Sequence, residues 1–204
     1  MKARHASWAG ILVLLLASPA LAQSSLKSRR DYVVGDHPVG VIAADYDGDG
    51  FLDLISVNQQ TAGNGDIALI KGFGDGSFRK VNAIVSGSLP SGMVYLDVNN
   101  DQKLDLVLAN LRSQEITTHL GNGMGGFGPK LSTAIVGTPA TLAVADYNGD
   151  LKPDVAILNA AQSNSQILLG DGAGRFPTNR QTFSLASSSK QIVTADLNAD
   201  LKRD

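Results

Sequence analysis

Four nine-residue windows rich in aspartate recur along this chain at intervals of 52, 49 and 50 residues, and that period restricts the fold more than any other feature. The first window reads Asp45-Tyr46-Asp47-Gly48-Asp49-Gly50-Phe51-Leu52-Asp53, and the second runs from Asp97 through Asn99 and Asp101 to Asp105. The third holds Asp146, Asn148, Asp150 and Asp154, the fourth Asp196, Asn198, Asp200 and Asp204. All four keep an oxygen-bearing side chain at positions one, three, five and nine. Of the 18 aspartates, 13 fall inside these windows, a clustering that solvated surface charge has no reason to produce.

The flanks repeat with the windows. A short apolar segment precedes each (Val39 to Ala44, Met93 to Leu96, Leu142 to Ala145, Ile192 to Ala195), and another follows the first three (Leu54 to Val57, Leu106 to Ala109, Val155 to Leu158). Runs of four to six apolar residues between turn formers are strands, being too short for helices. Each complete repeat then carries a glycine ladder ending in phenylalanine: Gly72 to Phe78, Gly121 to Phe127 and Gly170 to Phe176. The Asp-Gly and Asn-Gly pairs within them are strong hairpin signals. A fourth strand is expected at Val81 to Val85, Leu131 to Val136 and Thr182 to Ala186.

Four antiparallel strands in about fifty residues cannot bury both of their faces alone, so the units must stack. The expected fold is all-β: a β-propeller of four-stranded antiparallel blades over residues 31–204, comprising about three blades plus the first strand of a fourth. The repeats run about 39–87, 88–137, 138–187 and 188–204. Small residues such as Ala43, Ala44, Ala143, Ala145 and Ala195 suit the crowded innermost strand. Tyr32 to Val34, followed by Gly35, Pro38 and Gly40, aligns with Ile84 to Ser86, Gly87, Pro90 and Gly92, which predicts an outer fourth strand at the start.

Calcium takes six to eight hard oxygen ligands, carboxylate or carbonyl. Alternate residues of a tight loop turn inward, so the side chains at positions one, three and five converge. Position seven (Phe51, Lys103, Lys152) can offer its carbonyl, and position nine closes the cage. The expected cofactor is therefore Ca2+, one per loop, because four carboxylates crowded together would otherwise repel. A single window could be a strand-capping turn that binds nothing; four with shared offsets favour ligation. Magnesium demands a stricter octahedron and keeps its waters. An EF-hand is excluded by strand flanks and by Ser56, Leu108 and Ile157 where its twelfth position needs an acid. Dockerin modules fail on the same flanks.

The chain resembles the FG-GAP or VCBS repeat family, whose repeats also build the propeller of integrin alpha subunits. Phe73-Gly74, Phe127-Gly128 and the imperfect Gly137-Thr138-Pro139 carry the resemblance along with the loops. It implies calcium between the first and second strands of a blade, with ligands at positions one, three, five and nine of each window. It also implies continuation of the natural protein, to seven blades. The family prefers glycine at position six, which only Gly50 supplies against Gln102, Leu151 and Leu201. The first loop, with that glycine and an extra carboxylate, is accordingly expected to be the strongest site.

Lys2 and Arg4 precede an apolar run from Trp8 to Ala17 and the small residues Ala20 and Ala22, the pattern of a secretory signal peptide over residues 1–22. The run is about half the roughly 20 residues that cross a bilayer, so no transmembrane segment is expected after cleavage. Residues 23–30 read as a flexible lead-in. The expected localisation is secreted, periplasmic or cell-surface. With no cysteine, disulfides, thiolate metal sites and cysteine nucleophiles are excluded. The mature chain carries 15 basic against 19 acidic residues, which argues against a nucleic-acid partner.

The glycine ladders lack the lysine and hydroxyl of a phosphate loop. No Gly-x-Ser-x-Gly elbow is present, and Glu115 is the only glutamate, leaving little for a glycosidase carboxylate pair. Neither His37 nor His119 has a local ligand partner. The expected function is a non-enzymatic module for binding or adhesion to an extracellular protein or glycan. The alternatives are the propeller of an extracellular polysaccharide-acting enzyme and a structural spacer.

Overall fold

The computed structural model describes residues 30–60, 63–159, 161–162, 164–177, 180–184 and 191–195. The expected signal peptide (residues 1–22), most of the expected lead-in and the fourth aspartate window lie outside them. Twelve strands and no helix are found among the described residues, in three separate four-stranded antiparallel sheets. The first blade contains β1 (Pro38–Ala44), β2 (Asp53–Asn58), β3 (Asp66–Gly72) and β4 (Phe78–Val85). The second contains β5 (Pro90–Leu96), β6 (Asp105–Asn110), β7 (Glu115–His119) and β8 (Leu131–Ala134). The third contains β9 (Pro139–Ala145), β10 (Asp154–Asn159), β11 (Asn164–Leu168) and β12 (Arg180–Ser184). Each sheet is a simple meander in chain order, and together they form part of a β-propeller whose ring is not closed.

Stacking follows from strand alternation, because successive residues of a strand face opposite sides of its sheet. In β6, Leu106 and Leu108 join Tyr46, Ile55, Val57, Ile67 and Leu69 between the first two blades. Val107 and Ala109 of the same strand join Val155, Ile157, Leu142 and Phe176 between the second and third. Every residue of β6 is buried as a result. The first strands draw the blades together: β5 touches β1 and β2, and β9 touches β5 and β6. A Cβ at Gly92 in β5 would lie 3.1 Å from the Thr141 Cα in β9, so these backbones nearly touch.

Two expected strands have no ladder partner among the described residues. Tyr32 to Val34 runs without a β-ladder, as do residues 191–195. A strand exists only where a neighbour accepts its backbone hydrogen bonds, and neither segment has one among the described residues. The opening segment is held by side chains instead. The Tyr32 ring meets Phe78 edge-on at 5.5 Å, while the Val34 carbonyl accepts from Asn58 Nδ2 at 3.2 Å and Lys80 Nζ at 2.9 Å.

The sequence alignment of that segment nevertheless identifies its packing position. Gly35 lies against Asn58 as Gly87 lies against Asn110 and Gly137 against Asn159; a Cβ at any of the three would strike the asparagine. Those asparagines, fully buried at the ends of β2, β6 and β10, form a second repeated feature opposite the aspartate loops.

Candidate metal centre

Each described aspartate window links the first strand of a blade to the second. The three share a hydrogen-bond pattern that differs only in one donor to position one, the position-four amide in the first and third loops and the position-three amide in the second. The carboxylate at position one organises the turn. Asp45 accepts from the amides of Gly48 at 2.7 Å, Asp49 at 3.2 Å and Gly50 at 2.8 Å. Asp97 accepts from Asn99, Asp101 and Gln102, and Asp146 from Gly149, Asp150 and Leu151. Position three accepts from the amide of position five: Asp47 from Asp49, Asn99 from Asp101, Asn148 from Asp150. Position five in turn accepts from position seven, at 2.9 Å in every loop, through the amides of Phe51, Lys103 and Lys152.

Position nine behaves differently. Asp53, Asp105 and Asp154 are fully buried, and each joins its loop to the hairpin of its own blade. One oxygen accepts from position two (Tyr46 at 3.2 Å, Val98 at 3.0 Å, Tyr147 at 3.0 Å). The other accepts from the first glycine of the ladder (Gly72 at 2.8 Å, Gly121 at 2.7 Å, Gly170 at 2.8 Å). Burial raises the pKa of all three, although these amide bonds pull it down. Burial also pushes the neighbouring Tyr46 hydroxyl up to about 12, helped by the charge of Asp53.

The backbone at position six is the same with or without glycine. Gly50 has φ 87°, Gln102 66° and Leu151 66°, all left-handed. The amide there must reach back to the position-one carboxylate, and that bond holds a glutamine and a leucine in a region that disfavours side chains.

In the first loop the oxygens of Asp45, Asp47 and Asp49 lie within 4.8 Å of one another. Asp53 stands outside that triad. The second and third loops carry asparagine at position three, so only two carboxylates can converge beside an amide oxygen. The triad already grips a cation of the chain itself: the Lys71 ammonium, from β3, bonds Asp47 and lies 2.8 Å from Asp49 Oδ2. That contact lowers the Asp49 pKa, with the Phe51 amide helping, and raises the pKa of Lys71. In the second loop Lys103 approaches Asp101 alone, at 3.6 Å and largely in solvent.

The donor chemistry fits a hard divalent cation. Every inward atom is oxygen, and the stand-in ammonium shows that the loop attracts positive charge. No sulfur or imidazole joins the triad, which disfavours softer metals.

The first two loops are buttressed from the next blade. A Cβ at Gly125, in the hairpin of the second blade, would lie 2.9 Å from Asp47 Cβ and 3.4 Å from the Tyr46 ring. Gly174 of the third blade presses likewise on Val98, Thr118 and Leu120 of the second. Asn100 also donates to the Leu151 carbonyl at 3.1 Å, joining the second loop to the third.

No curated protein matches the chain. Among solved structures it is similar to BBS1N in complex with ARL6DN, soaked with lead, at 14% identity and a TM-score of 0.49, covering 77% of this chain and 46% of that one. It is similar also to the Photorhabdus luminescens Tc holotoxin pore, at 20% identity and a TM-score of 0.45, covering 80% of this chain and 8% of that one. An active polycomb repressive complex 2 in the basal state matches at 12% identity and a TM-score of 0.43, over 64% of this chain and 26% of that one. The chain thus spans less than half the length of each, and these likenesses carry no argument about what it does. The sequence family described as FG-GAP-like repeat matches three times, at residues 45–108, 97–157 and 146–204, each match running from one aspartate window through the next. With those three overlapping repeats, the chain belongs to the FG-GAP-like repeat family.

Proposed function

We propose that this chain is part of an exported, calcium-binding β-propeller that binds an extracellular protein or glycan and has no catalytic role. The observation that carries the metal reading is the Asp45, Asp47 and Asp49 triad closed on the Lys71 ammonium. Three carboxylates about 5 Å apart repel by roughly 1 kcal/mol per pair even at the dielectric of water, and severalfold more at a protein surface. Against a typical domain stability of about 5–15 kcal/mol, that repulsion is large enough to require a counter-cation. The second and third loops share the backbone of the first but have no strand lysine among the described residues, and a calcium ion would meet the same need there.

Export rests on the charged, apolar and small-residue sequence of the first 22 positions. The binding role rests on family membership and on the loops themselves, whose turns a bound cation would stiffen into a fixed surface. Thirteen of the 18 aspartates belong to the windows, where those described shape the turns, leaving few acids for chemistry.

The test is thermal unfolding of the intact chain with millimolar calcium and with a chelator. Calcium in large excess over its dissociation constant should raise the melting temperature by about 5 °C or more. Asp150→Ala, which removes a carboxylate from the third loop, should shrink that gain. Superimposable melting curves in calcium and chelator would falsify the metal reading.

A further inference from the structure

The first loop differs from its copies in two ways that belong together. It alone among the described loops has a carboxylate at position three, Asp47 against Asn99 and Asn148. It alone receives a lysine from the third strand of its blade. Lys71 immediately precedes Gly72, whose amide Asp53 accepts; the same step of the second and third blades is Leu120 and Leu169, before Gly121 and Gly170. Counting positions one, three and five with that step, the first loop carries three acids and one lysine, and each of the others two acids and none. On that count the first loop adds one acid and one base to the pattern of the others, whose own lysines, Lys103 and Lys152, stand at position seven of their windows.

We propose that Lys71 is a resident counter-cation of the first loop, keeping it closed without metal and lowering its calcium affinity below that of the second and third loops. This rests on the calcium reading above and reverses the ranking that the glycine at position six had indicated. The geometry supports competition rather than mere proximity. Lys71 Nζ contacts carboxylates at both positions three and five, the groups that would turn toward an ion. A divalent cation entering there would face a fixed positive charge at hydrogen-bond distance from its own ligands, so the ammonium must withdraw first. The lysine is only 27% exposed and Asp47 14%, which limits screening by salt. Lys103 does not do the same for the second loop, since it is 46% exposed and reaches one carboxylate only.

Calcium titration of the intact chain by calorimetry tests this, using Lys71→Leu, which copies the second and third blades, and Lys71→Gln. Each variant should tighten one calcium site by at least about tenfold relative to the parent. Adding Asp49→Ala to either should abolish that gain. In chelator both variants should melt below the parent, and calcium should restore them. If the parent binds calcium and both variants give an unchanged or weaker isotherm, the role of Lys71 is refuted while the calcium reading survives. If the parent itself binds no calcium, the calcium reading fails, and this inference fails with it.

Discussion

At the scale of the residue, position six shows how a hydrogen bond can override side-chain preference. Gln102 and Leu151 adopt the backbone of Gly50 because their amides complete the position-one carboxylate's bonds. Left-handed backbone costs a residue with a Cβ about 1–2 kcal/mol, partly offset in glycine by its unfolded-state entropy. Leu151 is 81% exposed, so its removal loses almost no packing. Leu151→Gly is therefore expected to stabilise the protein by about 0.5–1 kcal/mol in urea unfolding, and no gain would show that the strain is relieved elsewhere. The loop positions were legible in the sequence because their offsets are local and repeated four times. Lys71 was not, since it reaches Asp47 across a strand and is 24 residues distant. The occupied left-handed position of Leu151 was equally hidden, because it follows from a bond and not from a propensity.

At the scale of the element, the glycine hairpins have a second role besides turning the chain. Gly76, Gly125 and Gly174 share φ 81°, yet only the last two meet a preceding blade; a Cβ at Gly76 finds nothing within 4 Å. The three positions separate backbone cost from contact cost. Gly76→Ala should lose about 1 kcal/mol, from conformation alone. Gly125→Val should lose about 2–4 kcal/mol, since it also drives into Asp47 and Tyr46. Equal losses in denaturant unfolding would mean that the hairpin does not support the loop. The strands and hairpins themselves could be read from period and turn chemistry. The strand expected at Tyr32 to Val34 could not be checked that way, because pairing depends on a neighbour that local pattern does not reveal. The buried asparagines Asn58, Asn110 and Asn159 were not singled out by the sequence pattern, and their role emerges only from the glycines packed on them.

Across the whole molecule, stacking leaves one histidine in an apolar setting. His119 is 1% exposed at a step where the other blades place Ile70 and Leu168, and neither ring nitrogen makes a well-aligned hydrogen bond. Burial lowers its pKa below the usual value against an upward pull from the Gly128 backbone, and nearby Lys130 lowers it further. The unfolded chain therefore binds a proton that the folded chain refuses. Folding stability should fall as pH drops from about 6.5 toward the lower folded value, by at most about 1.4 kcal/mol per pH unit. His119→Leu should flatten that part of the pH–stability profile and raise stability at neutral pH; a parallel profile would show that other groups set the slope. The blade stack was legible because units of this period have no other way to bury two faces. The placement of a polar ring inside it was not, because nothing local marks that step of β7 as interior.

Gly125 presses on the first loop and Gly174 lies against Val98, so in both cases a hairpin of the later blade supports the turn of the one before it. A nascent chain therefore makes an aspartate turn well before it makes the hairpin that braces it. The first and second turns thus gain their brace only with the hairpin of the following blade, so removing that later hairpin is expected to loosen the turn before it while leaving the turns after it supported.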